Sequence, residues 1–158
     1  MAQAGVRWLN DDELSCWMAF LEMQKLLMET LDRELRDGAG VTLDDYDVLA
    51  QLSAAPDKRL RMSELAEAVI MPKSRLTYRI DQLVKRGCVA RMDCADDRRG
   101  LFAELTEGGI ALLERAAPIH VTGVRTHFAD PIGVDSAEEM CRLSAEIRNH
   151  LLQGRKAS

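Results

Sequence analysis

Pro72–Thr106 reads P-K-S-R-L-T-Y-R-I-D-Q-L-V-K-R-G-C-V-A-R-M-D-C-A-D-D-R-R-G-L-F-A-E-L-T, and the order of its parts decides the fold. At about 100° per residue, Leu76, Ile80 and Leu83 gather on one side of a helix. Ser74, Arg75, Tyr78, Gln82 and Lys85 lie opposite, with Lys73, Thr77 and Arg79 on the flanks. Pro72 suits the first turn of that helix and Gly87 its end. Such an outward face suits a DNA major groove, because arginine donates two bonds to guanine O6 and N7 and hydroxyls serve bases or phosphates. A solvated surface helix has a similar composition, so the face alone is not decisive. The residues after Gly87 discriminate: Cys88–Cys94 and Leu101–Thr106 have strand character, and A-D-D-R-R-G between them reads as a turn, which together make a β-hairpin.

Upstream, Ser63 is placed to cap a compact helix, S-E-L-A-E-A-V-I, with Leu65, Ala66 and Val69 inward. Two short helices joined by a tight turn form a helix-turn-helix, and a following hairpin makes it a winged helix. Arg98-Arg99 then sits at the tip of the wing, where an isolated cluster of this kind would be a plain solvated turn. Further out, Arg59–Met62 reads as a short strand, and Thr42 opens a helix with Leu43, Tyr46, Leu49 and Leu52 at steps of three, ended by Pro56.

The two chain ends are helical. Asp11 or Asp12 can cap a helix running to about Asp37, stopped by Gly38 and Gly40. Within its Leu14–Met28 stretch 11 of 15 residues are apolar, too many for a single stripe, so a second subunit is the natural cover. Thr106 caps a long helix carrying Ile110, Leu113, Ala117, Val121, Val124 and Phe128, interrupted by Pro118 and closed by Asp130-Pro131. A last helix, about Asp135 to Leu152, carries Met140, Leu143, Ile147 and Leu151. The fold class is therefore mainly α with a small β-hairpin wing. Residues 41–106 form the winged helix-turn-helix, and residues 1–40 and 107–158 form a helical dimerisation module.

Charge follows the same division. The net charge is −5, yet residues 1–55 sum to −7, residues 56–100 to +4 and residues 101–158 to −2. A basic centre between acidic flanks fits a protein whose middle alone meets a polyanion. The longest apolar stretch is too short for a bilayer and the N-terminus lacks a signal-peptide core, so no membrane association and a cytoplasmic location are expected. Cys16, Cys88, Cys94 and Cys141 have no C-x-x-C spacing, and His120, His127 and His150 are dispersed. Reduced thiols and no metal or other cofactor follow. An enzyme is not supported, since no nucleophile-base pair, phosphate loop or metal motif is present.

The serine-led helix Ser74–Gly87, the strand C-V-A-R at Cys88–Arg91 and D-D-R-R-G-L-F-A-E-L-T-E-G-G at Asp96–Gly109 resemble the MarR-type winged-helix transcriptional regulators over nearly the whole chain. The last segment resembles that family's wing, D-x-x-D-R-R followed by a strand and L-T-x-x-G. It departs at Cys94-Ala95-Asp96, where the family has a proline-led turn. The resemblance implies a homodimer on a pseudo-palindromic double-stranded DNA operator, usually a repressor relieved by a small-molecule effector. It assigns Asp97 to orient Arg99 for the minor groove, with Arg98 on the backbone or in the same groove and Arg91 on phosphate. On this reading Lys73, Arg79 and Arg91 meet phosphates, while Arg75, Tyr78 and the wing arginines read sequence or groove shape, with Ser74 and Thr77 beside them. An effector pocket between the two modules would draw on Trp17 and Tyr46, residues that serve equally as core. Two other readings stay open: a thiol sensor through Cys16, and a winged helix used for protein contact without DNA.

Overall fold

The computed structural model describes residues 5–94 and 97–156, with the side chains of residues 93–100 and 155–156 outside the described set. Helix α1 (Asp11–Ala39) starts on Asn10, whose side chain accepts from the Glu13 amide at 2.8 Å while the Glu13 carboxylate accepts from the Asn10 amide at 2.9 Å. The cap is thus Asn10 rather than Asp11 or Asp12, because N-x-x-E closes a reciprocal capping box. Gly38 lies inside the helix and Gly40 alone ends it, at φ +65° with its amide donating to the Arg36 carbonyl. Thr42 caps α2 (Leu43–Ala54), and a single tight turn at Pro56–Lys58 leads to β1 (Arg59–Arg61).

Helix α3 (Met62–Ala68) begins two residues earlier than a cap at Ser63 would place it, with Arg61 at the cap position. Glu64 reaches back to the Arg61 amide at 3.1 Å, so a carboxylate at the third position does what the serine was expected to do. After a turn containing Ile70 at φ +51°, α4 (Lys73–Lys85) follows, then β2 (Val89–Cys94) and β3 (Asp97–Leu105). The sheet is antiparallel in the order β1-β3-β2, so Arg59–Arg61 completes the hairpin as a third strand.

Asp97–Gly100, expected in a turn, is part of β3. The pairing Asp93↔Leu101 is followed by Cys94↔Asp97, which leaves residues 98 to 100 as a bulge with no counterpart on β2. Ala95 and Asp96, where the wing departs from the family pattern, lie outside the described residues.

Helix α5 (Glu107–Val124) passes through Pro118 without breaking. Its buried face is Gly109, Leu112, Ala116 and Gly123, whereas Val121, expected inward, is exposed. The reason is proximity to α1: a Cβ on Gly123 would stand 2.8 Å from Leu31 Cδ2, so small residues rather than large ones mark the contact. Asp130-Pro131 does not close this helix. A π-helical turn at Arg125–Ala129 carries the chain into α6 (Asp130–Lys156), where proline is tolerated in the first turn and the helical path breaks at Gly133, φ +69°.

One core serves the winged helix and the adjoining ends of α1 and α5, built from Leu35, Leu49, Leu52, Leu65, Leu76, Ile80 and Leu83 among others. Apolar side chains along the remainder of α1 and α6 are uncovered, Trp17, Met18, Phe20, Ile147 and Leu151 among them, and Trp8 just before α1 is 75% exposed. Among the described residues no helix is long and apolar enough to cross a membrane.

Candidate nucleic-acid interface

Leu76, Ile80 and Leu83 are wholly buried and fix the rotation of α4 about its axis. That rotation leaves Lys73, Ser74, Arg75, Thr77, Tyr78 and Lys85 exposed together. The Thr77 hydroxyl donates to the Lys73 carbonyl at 2.9 Å, so its oxygen is already oriented toward the start of the helix. Tyr78 keeps its ring outward, with the Arg79 guanidinium carbon 4.9 Å from the ring centre.

The arginines are not free. Arg75 donates from Nε and Nη2 to one oxygen of Asp44, at 3.0 and 2.6 Å. Arg79, expected on the phosphate-facing flank, turns inward: its side chain is 22% exposed, with Nη1 3.6 Å from Asp45 and Nε 3.9 Å from Asp44. Asp45 is 4% exposed, and a buried carboxylate without a cation would be costly, which accounts for the inward turn. Arg91 pairs with Asp81 at 2.7 Å, tying β2 to α4. Asp44, Asp45 and Asp81 were not singled out from the sequence; the first two look like ordinary first-turn acids of α2, and their partners lie more than thirty positions away.

Behind this face a cleft of about 350 Å³ is bounded by Met28, Asp32 and Arg36 of α1, Thr42–Asp44, and Arg75 and Arg79. Asp32 accepts from the Leu43 amide at 2.8 Å and from Arg36 Nε at 2.5 Å. Burial pushes the Asp32 carboxyl up, but that amide and Arg36 outweigh it and hold the group below its ordinary value. Charge therefore runs continuously from α1 through α2 to α4.

The wing places Asp97, Arg98 and Arg99 in β3, with their side chains outside the described residues. On the adjoining strand, Arg59 and Arg61 stand 5.6 and 5.3 Å from the Phe102 ring centre, a basic pair that the alternating R-L-R of β1 signalled.

The expected pocket residues are apart from the cleft. Trp17 is exposed on α1 beside Phe20, ring centres 6.0 Å apart, and Tyr46 packs on His120 at 4.4 Å. Burial lowers the His120 pKa, partly offset by Asp47, and burial raises that of Asp47. A second cleft of about 740 Å³ lies between α1 and α5, bounded by Glu34, Ile119 and His127 among others, with His127 Nε2 2.7 Å from Glu34. Cys16 and Cys141 are exposed, on α1 and α6.

A sequence profile described as the MarR family matches residues 39–100, from the end of α1 into β3. AbsC, a MarR family transcriptional regulator from Streptomyces coelicolor, is 39% identical and superposes with a TM-score of 0.88 over 94% of this chain and 99% of its own. Sco3205, from the same organism and solved in complex with DNA, is 36% identical with a TM-score of 0.89 over 92% of each chain. The HTH-type transcriptional repressor YetL of Bacillus subtilis is 28% identical over 125 residues, 77% of this chain and 74% of that protein. With a relative of 39% identity superposing over 94% of the chain and the family's profile matching its centre, this chain belongs to the MarR family of DNA-binding transcriptional regulators.

Proposed function

We propose that the protein is a homodimeric repressor that binds a pseudo-palindromic operator and is released by a small-molecule effector. The observation that carries the reading is the shared exposure of Lys73, Ser74, Arg75, Thr77 and Tyr78 on a helix locked by a buried leucine-isoleucine stripe and followed by a hairpin. In this reading α4 enters the major groove and the Arg98-Arg99 bulge reaches the adjacent minor groove, with Asp97 orienting Arg99. Lys73 and Arg91 hold phosphates, and Arg79 supports α4 from behind rather than meeting DNA.

Dimerisation is supported by the uncovered apolar faces of α1 and α6, and in this reading residues 1–40 and 107–158 are one module and residues 41–106 the DNA-binding one. Two copies on a two-fold axis present α4 to successive major grooves, about 34–36 Å apart. Repression is supported by the likeness to YetL, named a repressor, and by simple occupancy of an operator. The effector would act between the modules, changing operator affinity only through preference for one arrangement of them. DNA as the partner places the protein in the cytoplasm.

Selection of bound duplexes from a random pool, followed by transcription from a promoter carrying the selected site, tests the reading. The expected product is an inverted repeat with half-sites about one helical turn apart and lowered transcription. Failure to bind any duplex at low salt would leave the winged helix as a protein-contact module.

A further inference from the structure

We propose that Asp44, on the first turn of α2, is a positioning residue for sequence readout: it fixes the guanidinium of Arg75 so that one base pair of the operator is discriminated. This rests on the reading of α4 as the major-groove helix.

A guanidinium has two usable edges, one formed by Nε and Nη2 and the other by Nη1 and Nη2. Arg75 spends the first edge on Asp44, through contacts of 3.0 and 2.6 Å to the same oxygen. Its second edge is the one that matches guanine O6 and N7. Asp44 therefore leaves the reading edge available while removing the rotation that a long, 59% exposed side chain would otherwise retain.

Asp44 is itself held. It occupies the first turn of α2, where a carboxylate is favoured by the helix dipole, and Arg79 approaches the same oxygen at 3.9 Å, with its Nη1 3.6 Å from buried Asp45. The order Asp45, Arg79, Asp44, Arg75 thus leads from the core to the groove-facing surface. An acid next to DNA weakens non-specific binding, so its placement makes sense as a device for selectivity rather than for raw affinity.

The test uses the selected operator, its single-base variants and a random duplex, with anisotropy titrations of wild type, Asp44→Ala, Arg75→Ala and the double variant at one salt concentration. Arg75→Ala should reduce discrimination at one base-pair position by roughly 5- to 150-fold. Asp44→Ala should flatten discrimination at that same position, leave random-duplex affinity equal or higher, and add nothing in the Arg75→Ala background. Asp44→Glu should restore part of the discrimination. Asp44→Asn, which keeps the side-chain volume, should behave like Asp44→Ala and covers any disturbance of the α2 start.

Three results would overturn the proposal: discrimination retained in Asp44→Ala, an even loss at every position, or equal tightening on operator and random duplex. The last would make the pair a latch that withholds Arg75. If Arg75→Ala leaves every position unchanged, the assignment of Arg75 to DNA is what fails, and the positioning role falls with it.

Discussion

The Thr106 hydroxyl donates a 2.6 Å hydrogen bond to the Gly87 carbonyl and accepts one of 3.1 Å from the Gly109 amide. One side chain thereby closes the end of α4, the base of the wing and the start of α5. Thr106→Val keeps the shape and loses both bonds, which should cost about 1–2 kcal/mol. Urea unfolding should show this as a lower midpoint, with Thr106→Ser close to wild type.

Gly109 faces the same junction. A Cβ there would stand 2.1 Å from the Cys88 carbonyl oxygen, which is backbone and cannot step aside. Gly109→Ala should destabilise by about 2–3 kcal/mol, whereas Gly154→Ala, whose added carbon meets open space beyond its own helix turn, should be neutral or mildly stabilising by thermal melt.

Ile70 holds φ +51° in the helix-turn-helix turn while 65% exposed, so a β-branched residue bears left-handed strain with little packing in return. Ile70→Gly should stabilise by about 0.5–1 kcal/mol, the relief of strain less the entropy of glycine. Equal or lower stability in denaturant titration would contradict this.

Arg79→Met removes the cation beside buried Asp45. The expected cost is about 1–3 kcal/mol, and Asp45→Asn in the same chain should recover part of it. Measured below its melting temperature, Arg79→Met should retain the salt dependence of DNA binding if Arg79 supports α4 from behind, as proposed, with Nη1 turned toward buried Asp45.

His120 is packed on Tyr46, with Asp47 the carboxylate that acts on it, and its folded pKa lies below the ordinary value of 6.5. The unfolded chain therefore binds its proton first, and stability falls as pH drops below about 6.5 toward the lower folded value. Asp47, whose folded pKa is raised, works in the opposite sense: its contribution declines as pH rises from the ordinary carboxylate value through the folded one. Urea midpoints between pH 7 and 5 should fall in wild type and fall less in His120→Gln.

Local features were legible in the sequence and long-range ones were not. The Leu76-Ile80-Leu83 stripe, the Thr42 and Thr106 caps and the glycine after α4 depend on neighbours within one or two turns, and each stands where the sequence placed it. Asn10 is equally local, since its partner Glu13 is three residues on, but Asp11 and Asp12 beside it are capping types as well. Hydrophobic periodicity marks Ile110 and Leu113, which pack against the core, but gives no weight to Gly109, Ala116 and Gly123, whose smallness is the contact. The pairing of Arg75 with Asp44 spans thirty-one residues, and a helical wheel of α4 carries no trace of it.

The elbow between α1 and α2 is pinned from both sides. Gly40 turns the chain, and Asp32 grips the Leu43 amide from across the bend. Helix α2 has 12 residues and so extends about 18 Å beyond that fulcrum. A swing of about 10° moves its far end by about 3 Å, close to the 3.4 Å rise of one base along a DNA strand. On the proposed reading of two copies on one operator, the angle at Gly40 sets the spacing of half-sites the protein fits, and the core shared by Leu35, Leu49 and Leu52 holds that angle.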